Sequence, residues 1–153
     1  VEFTSLAPYK IKITGRTRHF INAFGEEVIV DNAETALQAA CEATGARIAE
    51  YTAGPVYMTG QSKGSHQWIV EFSVPPADTE RFADELDRAL QQVNSDYEAK
   101  RFKDTTLLRP TLTVAPEGTF YRWMKERGKV GGQNKVPRLY NDRTYIDQLI
   151  RLL

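Results

Sequence analysis

The sequence has a single cysteine, only two histidines and no surplus of either charge: 20 basic residues meet 20 acidic ones in 153. One cysteine, Cys41, excludes an internal disulfide framework and fits a reducing cytoplasm. With His19 and His66 alone and no second thiol, no ordinary ligand set for zinc is present, and no metal is expected on this chain. Overall neutrality argues against a strongly basic nucleic-acid binder. No apolar run approaches the roughly 20 residues of a membrane span. The start, VEFTSLAPYK, has no basic stretch followed by an apolar one, so it does not read as a signal peptide. It also lacks an initiator Met, so Val1 reads as a cut inside a longer protein or as a processed end. Neither a GxSxG elbow nor a GxxxxGK[ST] phosphate loop occurs.

What is present is an ordinary soluble composition, 41% hydrophobic and 26% charged, in a chain long enough for one domain with a real core. KIKI (10–13) alternates and stops at Gly15, a short strand. HFINAFGEEVIV (19–30) reads as two strands around Gly25 or as one long bent strand. Asp31 and Glu34 have capping-box spacing before a helix whose stripe is Ala33, Ala36, Leu37, Ala40 and Cys41, with Gly45 at its end. Residues 46–53 read as a strand, 60–67 as a polar loop and 68–74 as a strong strand stopped by Pro75 and Pro76. Asp78 is the expected cap of a long helix reaching about Lys100, with Phe82, Leu86, Ala89, Leu90, Val93 and Tyr97 inward. Residues 106–115 read as a strand, at an edge where Pro110 sits. Pro116 and Glu117 suit the first turn of a helix over 116–127 that turns Phe120, Trp123 and Met124 inward. Asp142 can cap a last helix with Tyr145, Ile146, Leu149 and Ile150 inward.

The order from Val28 to Val114 is β-α-β-β-α-β. It predicts an α+β fold with a ferredoxin-like core over 28–115, an antiparallel sheet with two helices on one face. Additional N-terminal strands lie in 1–30, and C-terminal helices with a basic loop in 116–153. We expect one domain over residues 1–153.

Charge is concentrated at one place. Residues 122–138 carry Arg122, Lys125, Arg127, Lys129, Lys135 and Arg138 against Glu126 alone, a local charge of +5. A basic segment in a neutral domain suits a small anionic ligand or an acidic neighbouring domain. Within it, KVGGQNKVPR (129–138) pairs Gly131 and Gly132 with flanking cations. From local sequence it is either a solvated basic turn or a mobile arm, the solvated turn being the plainer reading. The other candidates read as structural: Trp68 and Trp123 fall on core-facing periods, His19 lines a strand face, His66 lies in a loop and Cys41 is a small core residue. Tyr51, Tyr57, Tyr121 and Tyr140 could line a pocket, though no spacing requires it.

Two stretches carry a resemblance: GRTRHFINAFGEE (15–27) and GGQNKVPRL (131–139). With them, the chain from FTSLAPYKIKITGR to NDRTYIDQL resembles the C-terminal domain of the Gretchen Hagen family of auxin-responsive acyl acid–amido synthetases, in its bacterial branch. The family is one of the adenylate-forming enzymes, whose hinge motif is GRxDxxIKxxGxxI. Gly15, Arg16, Ile21 and Gly25 match it, with Val28 for the final Ile, while Arg18 replaces the hinge Asp and Asn22 the Lys. Plant members carry an Asp-Lys pair near this turn, where this chain has Gly25-Glu26-Glu27.

The resemblance implies a cytoplasmic ATP-dependent ligase that adenylates a carboxylic acid, releasing pyrophosphate, and then joins it to an amino acid's amine, releasing AMP. The chain would be its C-terminal cap, inactive alone, with Gly15, Arg16 and Arg18 at the hinge. ATP, Mg2+ and both substrates would be handled with an N-terminal adenylation domain, none being bound by the cap alone. Negative charge builds on the α-phosphate in both steps, and a cation aimed there stabilises the transition state. Lys135 is the expected catalytic cation, with Arg138, Gln133, Asn134 and Arg16 toward the nucleotide, phosphate or amine. The alternative is a non-enzymatic ferredoxin-like ligand-binding or interaction module. A third, an RNA-binding domain, would need a Lys/Arg-Gly-Phe pattern that WIVEFSV does not have. No nucleic-acid or membrane partner is therefore expected.

Overall fold

The computed structural model describes residues 2–12, 19–60, 63–132 and 134–153. Two short antiparallel pairs come first: β1 (Glu2–Leu6) with β2 (Tyr9–Lys12), and β3 (Phe20–Ile21) with β4 (Val28–Ile29). The stretch 19–30 is thus two strands around the Gly25 turn, where φ of +85° favours glycine. Then follow α1 (Val30–Thr44), β5 (Arg47–Val56), β6 (Ser65–Val74), α2 (Thr79–Val93), α3 (Ser95–Arg101), β7 (Thr111–Ala115), α4 (Thr119–Glu126) and α5 (Thr144–Ile150).

The α+β class and the βαββαβ succession are both present. The sheet within it has the order β5-β6-β7, with β5–β6 antiparallel and β6–β7 parallel, rather than the all-antiparallel arrangement expected. The reason is β4. At two residues it pairs with β3 and does not enter the sheet between β6 and β7. Those two strands then meet directly, and a helical crossover between neighbours makes them parallel. β7 is an edge strand, as Pro110 implied.

β6 is buried on both faces, and its alternation divides the core in two. Trp68 and Val70 join Leu37, Ala40, Phe82, Leu86 and Leu90 under α1 and α2. Ile69, one residue out of phase, joins Phe120, Trp123, Ile146 and Leu149 under α4 and α5. The C-terminal helices therefore cover the second face. Ile150, expected inward, is 40% exposed, because a seven-residue helix turns only Ile146 and Leu149 fully to the sheet. Among the described residues no helix is long and apolar enough to cross a membrane.

Caps explain most helix boundaries. Asp78 accepts from the N–H groups of Glu80 (2.9 Å) and Arg81 (3.2 Å), as expected. Gly45 ends α1 in the left-handed region. Asp31 is not the N-cap of α1: the cap lies two residues earlier, at Ile29, whose N–H donates to Asn32 Oδ1 at 3.2 Å. The long helix to Lys100 is broken at Asn94, an extended residue that ends α2 and caps α3 by accepting from Tyr97 N–H at 2.8 Å. Its Nδ2 also donates to the Glu27 carbonyl. Asn at the N-cap outweighs helix continuation here. The bend seats Tyr97 and Arg101 on Asp87, which accepts from Tyr97 (2.7 Å) and from two guanidinium nitrogens of Arg101 (2.8 and 2.7 Å). Asn94→Ala should therefore lower unfolding free energy by about 1–2 kcal/mol, read as a lower urea midpoint; an unchanged midpoint would mean that the cap does not hold the bend.

Candidate functional site

The basic segment begins where α4 ends. Gly128 is left-handed (φ +63°), and Lys129 N–H closes back on the Met124 carbonyl at 2.9 Å, a C-terminal cap. Gly131 and Gly132 are also left-handed, at +83° and +63°, so the chain reverses there at little cost. Asn134 ties the turn through N–H and Nδ2 to the Gly131 carbonyl. The segment then fastens to the free edge of β5. Thr52 Oγ1 donates to the Pro137 carbonyl at 2.7 Å, Ala53 N–H to the Arg138 carbonyl at 2.9 Å, and Tyr140 N–H to the Ala53 carbonyl at 3.1 Å. Gly54 allows this approach: a Cβ there would stand 3.0 Å from the Asp142 carbonyl oxygen and from Ile146.

This strap, α4 and the outer face of β5 and β6 enclose a cavity of about 450 Å3. Asn134, Lys135 and Arg138 line it together, with Lys129. Three of the expected site residues thus converge. Gln133, Arg16, Gly15 and Arg18 lie outside the described residues. Of the other basic residues, Arg127 lies over the rings of Trp123 and Tyr145, 4.5 Å from each, and takes no part.

Two carboxylates that sequence reasoning passed over, Glu50 and Glu71, share the cavity wall. Both are engaged. Glu71, 7% exposed, reaches from β6 to the start of α4 and accepts from Gly118 N–H (2.8 Å) and Phe120 N–H (3.2 Å). Glu50 is ion-paired to Arg138, whose guanidinium also lies 4.7 Å over the Tyr51 ring. Lys129 and Lys135 are exposed and have no ion pair among the described residues, so the cavity keeps a net positive lining. The signal was available: a Glu inside the apolar run WIVEFSV must find donors if it is buried. The four tyrosines do not form one pocket. Tyr51 is buried on the α1 side, Tyr121 lines the Lys135 cavity, and Tyr57 is exposed.

His66 is not a loop residue. β6 starts at Ser65, which buries His66 and sets its Nε2 2.8 Å from Glu26 Oε1, a carboxylate that is itself fully buried. Glu26 Oε2 also accepts from Phe24 N–H at 2.7 Å. The pair fastens the Gly25 turn to the sheet, while the Phe24 ring packs against Gly64 so closely that a Cβ there would come within 2.3 Å of it. Among the described residues no group of three or more His, Cys, Asp or Glu could hold a metal ion.

Burial alone would raise the Glu26 pKa, but the hydrogen bond and charge of His66, with the Phe24 N–H, bring it below the ordinary value of 4.5. A depressed carboxylate stabilises the fold above its unfolded pKa, and that stability is lost as pH falls through the folded value. Glu26→Gln should thus flatten the stability–pH curve below about pH 4.5 and cost about 1–3 kcal/mol at neutral pH. Urea titrations across pH 3–7 check this; parallel curves for parent and variant would refute it.

A family model, GH3 family C-terminal domain, matches residues 31–144. No curated protein matches the chain in sequence. Among solved structures, "GH3.15 acyl acid amido synthetase" aligns with a TM-score of 0.71 at 16% identity, over 90% of this chain and 27% of that one. "AtGH3.15 acyl acid amido synthetase in complex with 2,4-DB" aligns with a TM-score of 0.71 at 14% identity, over 90% of this chain and 26% of that one. The chain spans about a quarter of the length of these structures, and at such identities the likeness is one of fold.

Proposed function

The chain belongs to the GH3 family as its C-terminal domain, and from that premise we propose that residues 1–153 are the cap of an ATP-dependent acyl acid–amido synthetase. In this reading a larger N-terminal domain builds an acyl-adenylate from a carboxylic acid and ATP. The cap closes on it, and an amino acid's amine displaces AMP. We assign it to the bacterial branch on the Gly25-Glu26-Glu27 turn, and to the cytoplasm on its single cysteine.

The observation that carries the reading is the convergence of Lys135, Arg138 and Asn134 on one cavity whose carboxylates already have partners. Lys135 is the catalytic cation. Its ammonium is a compact point charge on a flexible stem, suited to reaching a phosphate oxygen across a domain gap. It neutralises charge as it builds on the α-phosphate, first against leaving pyrophosphate and then against leaving AMP. Arg138 plays a different part. Held by Glu50 and the Tyr51 ring, it adds a fixed positive field at the cavity wall. Asn134, and Gln133 beside it, offer amide groups to the nucleotide or the amine. Arg16, with Gly15 and Arg18, is assigned to the hinge. The side chains present fit a phosphate anion. The Mg2+ that accompanies ATP would be held by the rest of the enzyme.

In the full-length enzyme, Lys135→Ala should lower both ATP–pyrophosphate exchange and conjugate formation by roughly 100-fold or more, with Lys135→Arg recovering part of the loss. Retention of both rates within about twofold would sink the assignment of Lys135.

A further inference from the structure

A second cavity, of about 400 Å3, lies on the opposite face of β5, between that strand and α1. Its floor is apolar, made by Leu37 and Cys41 of α1 with Ala46 and Ile48. Its rim carries donors without acceptors. The Arg47 side chain has no hydrogen bond or ion pair among the described residues. Arg138 uses Nη1 on Glu50, which leaves Nε and Nη2 of its planar fork open. The Tyr51 ring contributes to the same wall, while its hydroxyl is buried away from solvent and is not a donor to the cavity. Glu34 is the single carboxylate of the lining.

An apolar floor beneath guanidinium N–H groups that lack acceptors selects a ligand that is apolar at one end and an anionic acceptor at the other. We propose that this cavity binds a small amphipathic carboxylate, with its tail against Leu37, Cys41 and Ile48 and its head on Arg47 and Arg138. The volume falls in the range of small-molecule sites. Arg138 lines both cavities, because it crosses the β5 edge from the Tyr51 ring on one face to Glu50 on the other. A carboxylate bound here therefore shares one guanidinium with Glu50 and alters the charge at the wall of the Lys135 cavity. The binding site itself stands independently of what Lys135 does.

Octanoate is a suitable probe, with octan-1-ol and octylammonium as controls of equal tail. Cys41 is the only thiol of the 153-residue chain, so its alkylation by iodoacetamide reports occupancy. Burial raises the thiol pKa, and labelling is therefore run at alkaline pH. Saturating octanoate should slow alkylation at least about fivefold, and the two controls less than about twofold. By calorimetry, Arg47→Ala and Arg138→Ala should each weaken octanoate about tenfold, and Glu34→Gln should strengthen it. Ala49→Trp, at an exposed lining position, should abolish protection without touching the core. Protection by octanol equal to that by octanoate, affinity unchanged in the Arg47/Arg138 double variant, or no protection at all would each overturn the proposal.

Discussion

A carboxylate buried in the middle of an apolar strand decides where the second layer of this protein lies. Glu71 faces the same side of β6 as Ile69, and its charge cannot remain there without donors. The start of α4 supplies them, through Gly118 and Phe120 N–H groups whose partners within the helix are missing by geometry. The contact works both ways. It neutralises a buried charge and caps a helix that has Gly118, without a side chain, at its N-cap. Once α4 is set over β6, Phe120, Trp123 and Met124 fall against Ile69, and α5 closes the same cluster. Trp123 Nε1 donates to Gln148 at 3.0 Å and the Trp123 and Tyr145 rings meet edge-on, which joins the two helices.

The position of α4 fixes in turn where the basic strap begins, and β5 fixes where it ends. Between these points the two glycines turn the chain and Lys135 faces the cavity. From Pro137 onward, hydrogen bonds to Thr52 and Ala53 remove the freedom the glycines allow. Lys135 therefore lies two residues from a rigid edge on one side and three from a glycine pair on the other. This is a suitable place for a cation that must be aimed and yet move as two domains close. Arg138, three residues on, has lost that freedom: the ion pair and the ring contact hold it in place.

Features set by near neighbours were legible in the sequence. Asp78 at a cap, Gly45 after a helix, the stripe Phe82-Leu86-Leu90 and the stop at Pro75 all follow from contacts within a few residues, and the structure repeats them. Features set by distant partners were not. Asn94 breaks a well-patterned helix because Tyr97, Asp87 and the Glu27 carbonyl reward the bend, and the last of these lies on a distant segment. His66 looks like part of a glycine-flanked polar loop until Glu26, forty residues earlier, is brought beside it. Sheet order was hidden for a similar reason, since β4 is claimed by β3, outside the βαββαβ unit. In the candidate site the cations were visible as a charge cluster. Which of them remain unpaired was not, because that depends on where Glu50 and Glu71 point.

That last distinction bears most on function. A local excess of +5 at neutral overall charge would be unremarkable if every cation had a carboxylate opposite it, since exposed ion pairs contribute little. Here the two carboxylates that line the cavity already have partners, Glu71 in backbone N–H groups and Glu50 in Arg138. At the cavity the remaining positive charge sits on two lysines, Lys129 and Lys135, whose flexible side chains have no ion pair among the described residues. Such a field is screened within about 10 Å at ordinary ionic strength, so it acts only on an anion brought close. A phosphate carried to the cavity by a closing partner domain meets that condition, whereas an anion free in solution gains little. The electrostatics of the strap therefore suit a cap that works on a ligand presented to it.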